Sequence, residues 1–217
     1  MMRGGPVIAV DGPAAAGKGT LARRLAEALD LPYLDTGLLY RAVGRLALDA
    51  GQDPAQPAEK FAEALAPADL QRKDLRTPDV ALAASKVAAQ PAVRAALVET
   101  QRRFAAERGA VLDGRDIGTA IFPDADVKLF ITASPAMRAR RRFLQTGGDP
   151  AAPNAQTLLR EMEDALNARD KADASRDSAP MCIADDAYVI ETDTLDAQAV
   201  LARALHLVRE RLVAPQG

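Results

Sequence analysis

The chain has 217 residues, with 28 Lys and Arg against 30 Asp and Glu, for a formal charge of −2. That length suits one core carrying lobes, and the charge balance excludes a large basic face for duplex nucleic acid. Aromatics are only 4 % with no Trp, which excludes a stacking platform for single strands, and the single cysteine, Cys182, excludes an internal disulfide and fits a reducing, cytoplasmic setting. The first apolar run ends at Asp11, too short for a membrane span, and no run of 18 apolar residues follows. The expectation is a protein that meets neither nucleic acid nor membrane and is a monomer by default. One bias stands out: 22 of the 28 basic residues are Arg. Arg suits bidentate phosphate binding, but an Ala-rich composition points first to codon usage.

Taken in chain order, short apolar runs alternate with helical patterns. Val7–Val10 reads as a buried strand, and Thr20–Leu29 as a helix with Leu21, Leu25, Ala28 and Leu29 on one face. Pro32–Asp35 is a weaker strand, after which Thr36 could cap a helix running to about Ala50. Residues 52–92 are rich in Ala, Pro and charge, with helical patterns and no strand. Ala110–Asp113 and Val127–Ile131 read as two further strands. Ser134-Pro135 is an N-cap followed by proline at the first helical position, opening the helix AMRARRRFLQ. Residues 146–156 read as a flexible Gly/Pro loop. Tyr188–Ile190 is a fifth strand, and Ala197–Leu212 a final helix. Strands spaced by helices imply an α/β fold, a parallel sheet with helices on both faces.

The strongest motif is Gly12-Pro13-Ala14-Ala15-Ala16-Gly17-Lys18-Gly19-Thr20, placed between the first strand and the first helix. It has the G-x-x-x-x-G-K spacing of a phosphate loop in its proper context. Glycines permit a close backbone approach, successive N–H groups ring an anion at the positive end of a helix, and Lys18 adds a point charge at the β/γ phosphates. All nine residues are therefore candidates for ATP binding. The Gly-Lys-Gly-Thr ending resembles nucleoside monophosphate kinases more than GTPases or motor ATPases. No Asn-Lys-x-Asp guanine motif exists, and Asp113 is followed by Gly114 where a water-activating hydrolase would carry Glu.

Other residues point to phosphoryl transfer on their own chemistry. The reaction crowds negative charge, so cations must come from several elements. Arg41, Arg94 and Arg115 lie on different ones, and Arg115-Asp116 follows a strand's carboxyl end, where open α/β sheets bind ligands. Arg169, Asp173 and Arg176 are spaced four and three apart and share a face if helical. Arg140, Arg141 and Arg142 cannot all point one way, and which of them meets ATP stays open. Asp116 offers a carboxylate, which can accept from an amino group and would face a carbonyl unfavourably. Thr20 is the best protein candidate for holding a metal ion, with Asp35 and Asp113 weaker ones. His206 reads as a surface residue and Cys182 as a structural one.

Asp35-Thr36-Gly37-Leu38-Leu39-Tyr40-Arg41, Asp113-Gly114-Arg115-Asp116-Ile117-Gly118-Thr119 and Phe122-Pro123-Asp124-Ala125 together resemble the bacterial cytidylate kinase family. Ala84–Ala88, Val93-Arg94 and Arg169-Asp170 through Arg176 fit the same pattern. The resemblance implies transfer of the ATP γ-phosphoryl group to CMP or dCMP, with Mg²⁺. It implies the P-loop kinase fold: a five-stranded parallel sheet flanked by helices, in one domain over 1–217, with a monophosphate-binding lobe at about 36–100 and a lid at about 143–176. It places Thr36, Arg41 and Arg115 around the monophosphate and Ser85, Arg94 and Asp116 at the cytosine ring. Arg169 and Asp173 fall near the ribose, Arg176 near the phosphates, and Lys18, Arg115 and Arg176 become the catalytic cations.

Two departures from the family pattern are visible. Thr36 stands where Ser is common, which keeps the hydroxyl. Between Ala50 and Arg76 the alternating β-branched residues of the family's small antiparallel sheet are missing, so that sheet is expected to be reduced or absent. Two alternatives remain at this point: a kinase of the same fold acting on UMP, AMP or a metabolite, and a nucleotide-binding switch without turnover.

Overall fold

A computed structural model describes residues 4–213. Five strands, β1 (Val7–Asp11), β2 (Tyr33–Asp35), β3 (Ala110–Asp113), β4 (Val127–Thr132) and β5 (Tyr188–Glu191), form one sheet in the order β2-β3-β1-β4-β5. All four pairings are parallel. The central strands β1 and β3 are buried along their whole length, which is why their sequences are near-continuously apolar.

Side-chain alternation divides the core between the two faces of the sheet. Ile8 and Val10 point to one face, where they pack with Leu21 and Leu25 of α1 (Lys18–Leu29) and with Val200, Ala204 and Val208 of α8 (Ala197–Val213). Val7 and Ala9 point to the other, against Ala105 of α5 (Pro91–Ala105) and Ile117 and Ile121 of a five-residue turn, Ile117–Ile121. Truncating a fully buried leucine such as Leu25 to alanine costs about 2–5 kcal/mol.

Helices α2 (Thr36–Asp49), α3 (Glu59–Glu63) and α4 (Pro78–Ala88) form a lobe beside the sheet, closed over Leu39, Val43, Ala62, Val87 and Leu97. As the sequence led one to expect, no strand lies between Ala50 and Arg76; two short 3₁₀ turns, Pro67–Gln71 and Lys73–Arg76, take its place. Side-chain bonds from Arg72 to Asp49 (2.6 Å) and Asp74 (2.7 Å) tie this segment to α2. Helices α6 (Pro135–Gln145) and α7 (Ala155–Ala174) pack on each other, and Ser134 caps α6 by accepting the Met137 N–H at 3.3 Å.

Four local expectations need correction. Asp35, not Thr36, occupies the N-cap position of α2, and Thr36 is already helical. Helix α1 starts at Lys18 rather than Thr20, with Gly17 at its N-cap. Arg176 lies beyond the end of α7, so it does not share a helical face with Arg169 and Asp173. Cys182 is exposed, because the segment between α7 and β5 carries Asp177, Asp185 and Asp186 and runs over the surface. His206 is on the surface as expected, beside Glu210. No described helix is long and apolar enough to cross a membrane.

Strand order positions the site. β1 and β4 are neighbours, yet β1 feeds a connection to β2 on one side and β4 feeds one to β5 on the other. Such a switch point opens a crevice at the carboxyl ends of the strands.

Candidate active site

A cavity of about 1100 Å³ opens at that crevice. Its lining includes eleven basic side chains and five carboxylates, in a chain whose formal charge is −2. A concentration of cations this strong in one concave place marks an anion site.

The phosphate loop forms one end. Gly12 has φ 145°, and a Cβ there would lie 2.1 Å from the carbonyl oxygen of Ile131, so only glycine lets the loop cross β4 this closely. Ala15 is held at φ 61°, a left-handed strain located at the site itself. The loop's carbonyls are engaged from outside: Arg138 donates to Ala14 O (3.3 Å) and Arg141 to Ala16 O (3.3 Å). The N–H groups that open α1, Lys18 to Thr20, have no acceptor within the helix. A Cβ at Gly19 would approach Asp113 Oδ2 to 3.1 Å, which accounts for glycine where many phosphate loops carry a larger residue. Ala14, Ala15, Ala16, Gly17, Lys18, Gly19 and Thr20 line the cavity. Gly12 and Pro13 do not line it, and Gly12 acts through the turn.

Register places two carboxylates beside Lys18. Asp35 and Asp113 end paired strands directly opposite each other. Burial pushes the Asp113 carboxyl up to about 6, Lys18 opposes this, and Asp35 adds to it; Tyr33 Oη donates to Asp113 at 3.1 Å. Lys18 itself is held down to about 8, first by burial and then by Arg115. Arg169 is held down to about 10, again by burial and then by Arg115. Crowded cations that depress one another are relieved by an incoming anion. Arg169 Nε, buried and without a protein partner, is a donor waiting for one.

The opposite end is built from side chains. Thr36, Arg41, Ser85, Arg94, Arg115, Asp116, Arg169, Asp173 and Arg176 all line the cavity, drawn from α2, α4, α5, α7 and two loops. Arg94 and Asp116 form a buried ion pair, each about 5 % exposed, and the Arg94 guanidinium lies 5.6 Å from the centroid of the Tyr40 ring. Burial raises the Asp116 carboxyl and Arg94 opposes the rise. Asp173, 1 % exposed, accepts from Arg115 Nε at 3.1 Å and from Arg176, and so brackets both arginines from the α7 side. Arg41 donates to Leu75 O at 3.0 Å, and the Thr36 hydroxyl donates to Asp113 O at 2.8 Å.

Several residues went unassigned in the sequence. Tyr40 sits inside a quoted motif without a role; the structure sets it against Arg94. Among the three consecutive arginines, Arg141 is bound to Thr192 Oγ1 (2.8 Å) and Thr192 O (2.6 Å), Arg142 reaches the cavity, and Arg140 does not. Arg138 pairs with Asp170 and joins the phosphate loop to α7. Only its helical position, one turn after the Ser134 cap, distinguished it from its neighbours.

Comparison with known proteins gives a consistent picture. The family described as Cytidylate kinase matches residues 8–210. A protein named Cytidylate kinase from Granulibacter bethesdensis is 58 % identical over 94 % of this chain and 97 % of its own length. Another of that name from Acidiphilium cryptum is 56 % identical over 95 % of this chain and 96 % of its own. Among solved structures, an uncharacterised protein from Eubacterium ventriosum shares the fold, with a TM-score of 0.52 at 16 % identity, covering 94 % of this chain and 98 % of its own.

Proposed function

The chain belongs to the cytidylate kinase family, and from that premise we propose that it transfers the γ-phosphoryl group of ATP to CMP or dCMP, giving ADP and the cytidine diphosphate. The observation that carries this reading is the pairing of two different anion sites in one cavity: a backbone phosphate loop at one end and a cationic clamp beside the Arg94–Asp116 pair at the other.

The chemistry follows from that placement. An oxygen of the acceptor monophosphate attacks the γ-phosphorus, the bond from the β,γ-bridging oxygen to that phosphorus breaks, and ADP leaves. The acceptor is already an anion, so the protein's task is positioning and charge neutralisation. Lys18, fixed at the start of α1, holds the donor phosphates. Arg115 and Arg176, both bracketed by Asp173, converge from the sheet and the lid on the space where the transferred group passes. Arg41 and Thr36 hold the acceptor phosphate, and Arg169 supplies its unpartnered Nε to an oxygen of the substrate. At the base, Asp116 accepts from the exocyclic amine of cytosine while Arg94 fixes the carboxylate; Ser85 lines the same pocket.

The residues present also fit a divalent cation. Asp35 and Asp113 stand opposite each other, Asp113 buried, while Thr20 offers a hydroxyl on the donor side. Thr20 and the two carboxylates would hold Mg²⁺ here, which would supply charge neutralisation at the donor phosphates.

A panel of acceptors (CMP, dCMP, UMP, AMP) with ATP as donor tests the reading. Turnover on CMP and dCMP at least tenfold above UMP and AMP is expected. A preference for UMP or AMP would transfer the chain to another acceptor, and ATP binding without any turnover would make it a switch.

A further inference from the structure

Asp11 ends β1 and immediately precedes the phosphate loop. It is 5 % exposed and does not line the cavity. Its two oxygens accept from consecutive backbone N–H groups, Ile117 at 2.8 Å and Gly118 at 2.8 Å, more than a hundred residues along the chain. Those two residues open the turn Ile117–Ile121, directly after Arg115 and Asp116, where the N–H groups of a helical turn have no partner within it. The other end of the same segment is also tied to β1: Gly114 N–H donates to the carbonyl of Val10, at 3.0 Å. Arg115 and Asp116 therefore sit on a stretch of five residues pinned at both ends to the last two residues before the phosphate loop.

The turn is closed on Asp116 from the far side as well, since Ala120 N–H (2.9 Å) and Ile121 N–H (3.2 Å) donate to its carbonyl. The backbone around Asp116 is thus held from several sides: Ile117 and Ile121 pack on Val7 and Ala9, and the carboxylate of Asp11 ties the two N–H groups that follow Asp116 to the end of β1. Burial pushes that carboxyl up to about 6, and the two N–H bonds hold it back, so it is ionised at neutral pH and both bonds are charge-assisted.

We propose that Asp11 is a positioning residue that sets Arg115 and Asp116 at a fixed distance from the phosphate loop, so that its carboxylate governs acceptor affinity and base choice and leaves ATP binding largely alone. This rests on the reading of CMP as the acceptor. The donor end does not need it, because the loop is held independently by Arg138, Arg141 and Thr192. The acceptor end does need it, because a shift of the turn carries Arg115 and Asp116 with it while Arg94 and Asp173, on other elements, stay in place.

The strand supplies its own control. Asp126 accepts the N–H of Val7 at 2.8 Å, at the opposite end of β1 from the cavity. Asp11→Asn leaves one acceptor and turns an amide NH₂ against the other N–H; Asp126→Asn removes a charge at a distance and keeps an acceptor for the Val7 N–H. Both variants and the wild type are assayed for the KM of CMP, the KM of ATP, the CMP-to-UMP ratio of kcat/KM, and thermal unfolding. Asp11→Asn is expected to raise the CMP KM about tenfold and to lower the ratio several-fold, with the ATP KM within about twofold. Asp126→Asn is expected to lower the unfolding temperature by less and to leave all three kinetic values in place. Equal rises in both KM values for Asp11→Asn, or an effect no larger than that of Asp126→Asn, would overturn the proposal. Should Asp11→Asn fail to fold, amide exchange of the wild type decides: Ile117 and Gly118 N–H are expected to exchange as slowly as sheet amides, and exchange at the rate of an exposed loop would overturn it. A wild type inactive on CMP sinks the functional reading, whereas an active wild type with an unaltered Asp11→Asn sinks this inference alone.

Discussion

On the proposed reading, the donor end of the cavity comes from nine consecutive residues, Gly12 to Thr20, whereas the acceptor end draws Thr36, Arg41, Ser85, Arg94, Arg115 and Asp116 from four separate elements and closes with α7. The first is made of backbone. Its side chains are mostly Ala and Gly, and its shape is stored in local conformations such as Gly12 at φ 145° and Ala15 at φ 61°. The second is made of side chains, and its shape depends on how α2, α4, α5 and α7 pack. A backbone cradle binds any polyphosphate; a side-chain clamp is what distinguishes one acceptor from another.

Removing the charge of the donor end has the largest expected effect on turnover. Lys18→Met is expected to lower kcat by about 10²–10³, roughly 2.7–4 kcal/mol, while CMP affinity changes within about twofold. A comparable loss of CMP affinity would mean that the two ends are one electrostatic unit and the division above is wrong. The sign of the pH dependence follows from the ammonium, which is held down to about 8 and binds phosphate only when protonated. ATP affinity of the wild type is expected to be flat below that pH and to fall as the pH rises through it. In Lys18→Met the fall is expected to vanish. Titration of ATP binding between pH 6 and 10 measures both.

The same difference between the two ends explains what the sequence disclosed. The phosphate loop is contiguous, so spacing and context sufficed to place it. The sheet was legible for a similar reason: β1, β3 and β4 are buried on both faces and read as uninterrupted apolar runs. Among the acceptor residues only Arg115-Asp116, at a strand's carboxyl end, carried a local signal. Arg94 stands in a helix where an arginine is ordinarily a solvated residue, and beyond the general need for cations from several elements only the family pattern gave it a place; in the fold it is 4 % exposed and paired with Asp116. Tyr40 and Arg138 act through contacts that are remote in sequence, and nothing in their neighbours announced those contacts. Cys182 was misread because the apolar stretch it shares with Met181 suggested a structural residue, whereas the surrounding aspartates keep the segment at the surface. Of the 22 arginines, ten line the cavity, so a bias that composition alone assigned to codon usage is in large part a property of the site.

In the base pocket the expected effect falls on stability and base choice rather than on turnover. Asp116→Ala leaves Arg94 buried and unpaired, and is expected to cost about 3–5 kcal/mol of stability as well as the preference for CMP over UMP. Replacing both partners, as in Arg94→Met with Asp116→Leu, removes the unpaired charge. That double variant is expected to regain most of the stability and none of the discrimination. Denaturant unfolding together with the CMP-to-UMP ratio separates the two consequences. Discrimination that survives in either variant would remove Asp116 from base recognition and leave the pair a purely structural one.

The smallest expected effect tests where the boundary between the ends runs. Thr36 sits on the first turn of α2, 3 % exposed, and its hydroxyl spans the two regions: it lines the acceptor side and donates at 2.8 Å to the carbonyl of Asp113, whose side chain faces Lys18. Thr36→Val keeps the shape and removes the donor. The loss of one neutral hydrogen bond is about 1 kcal/mol, so a fall of about 2–4 °C in unfolding temperature is expected from the lost bond to Asp113 O, with a several-fold rise in the CMP KM where the hydroxyl turns to the acceptor phosphate. The ATP KM is expected to stay put, because the phosphate loop is braced by Arg138, Arg141 and Thr192 on its other side. If the ATP KM moved and the CMP KM did not, the start of α2 would belong to the donor end, acting through Asp113, and the acceptor clamp would begin only at Arg41.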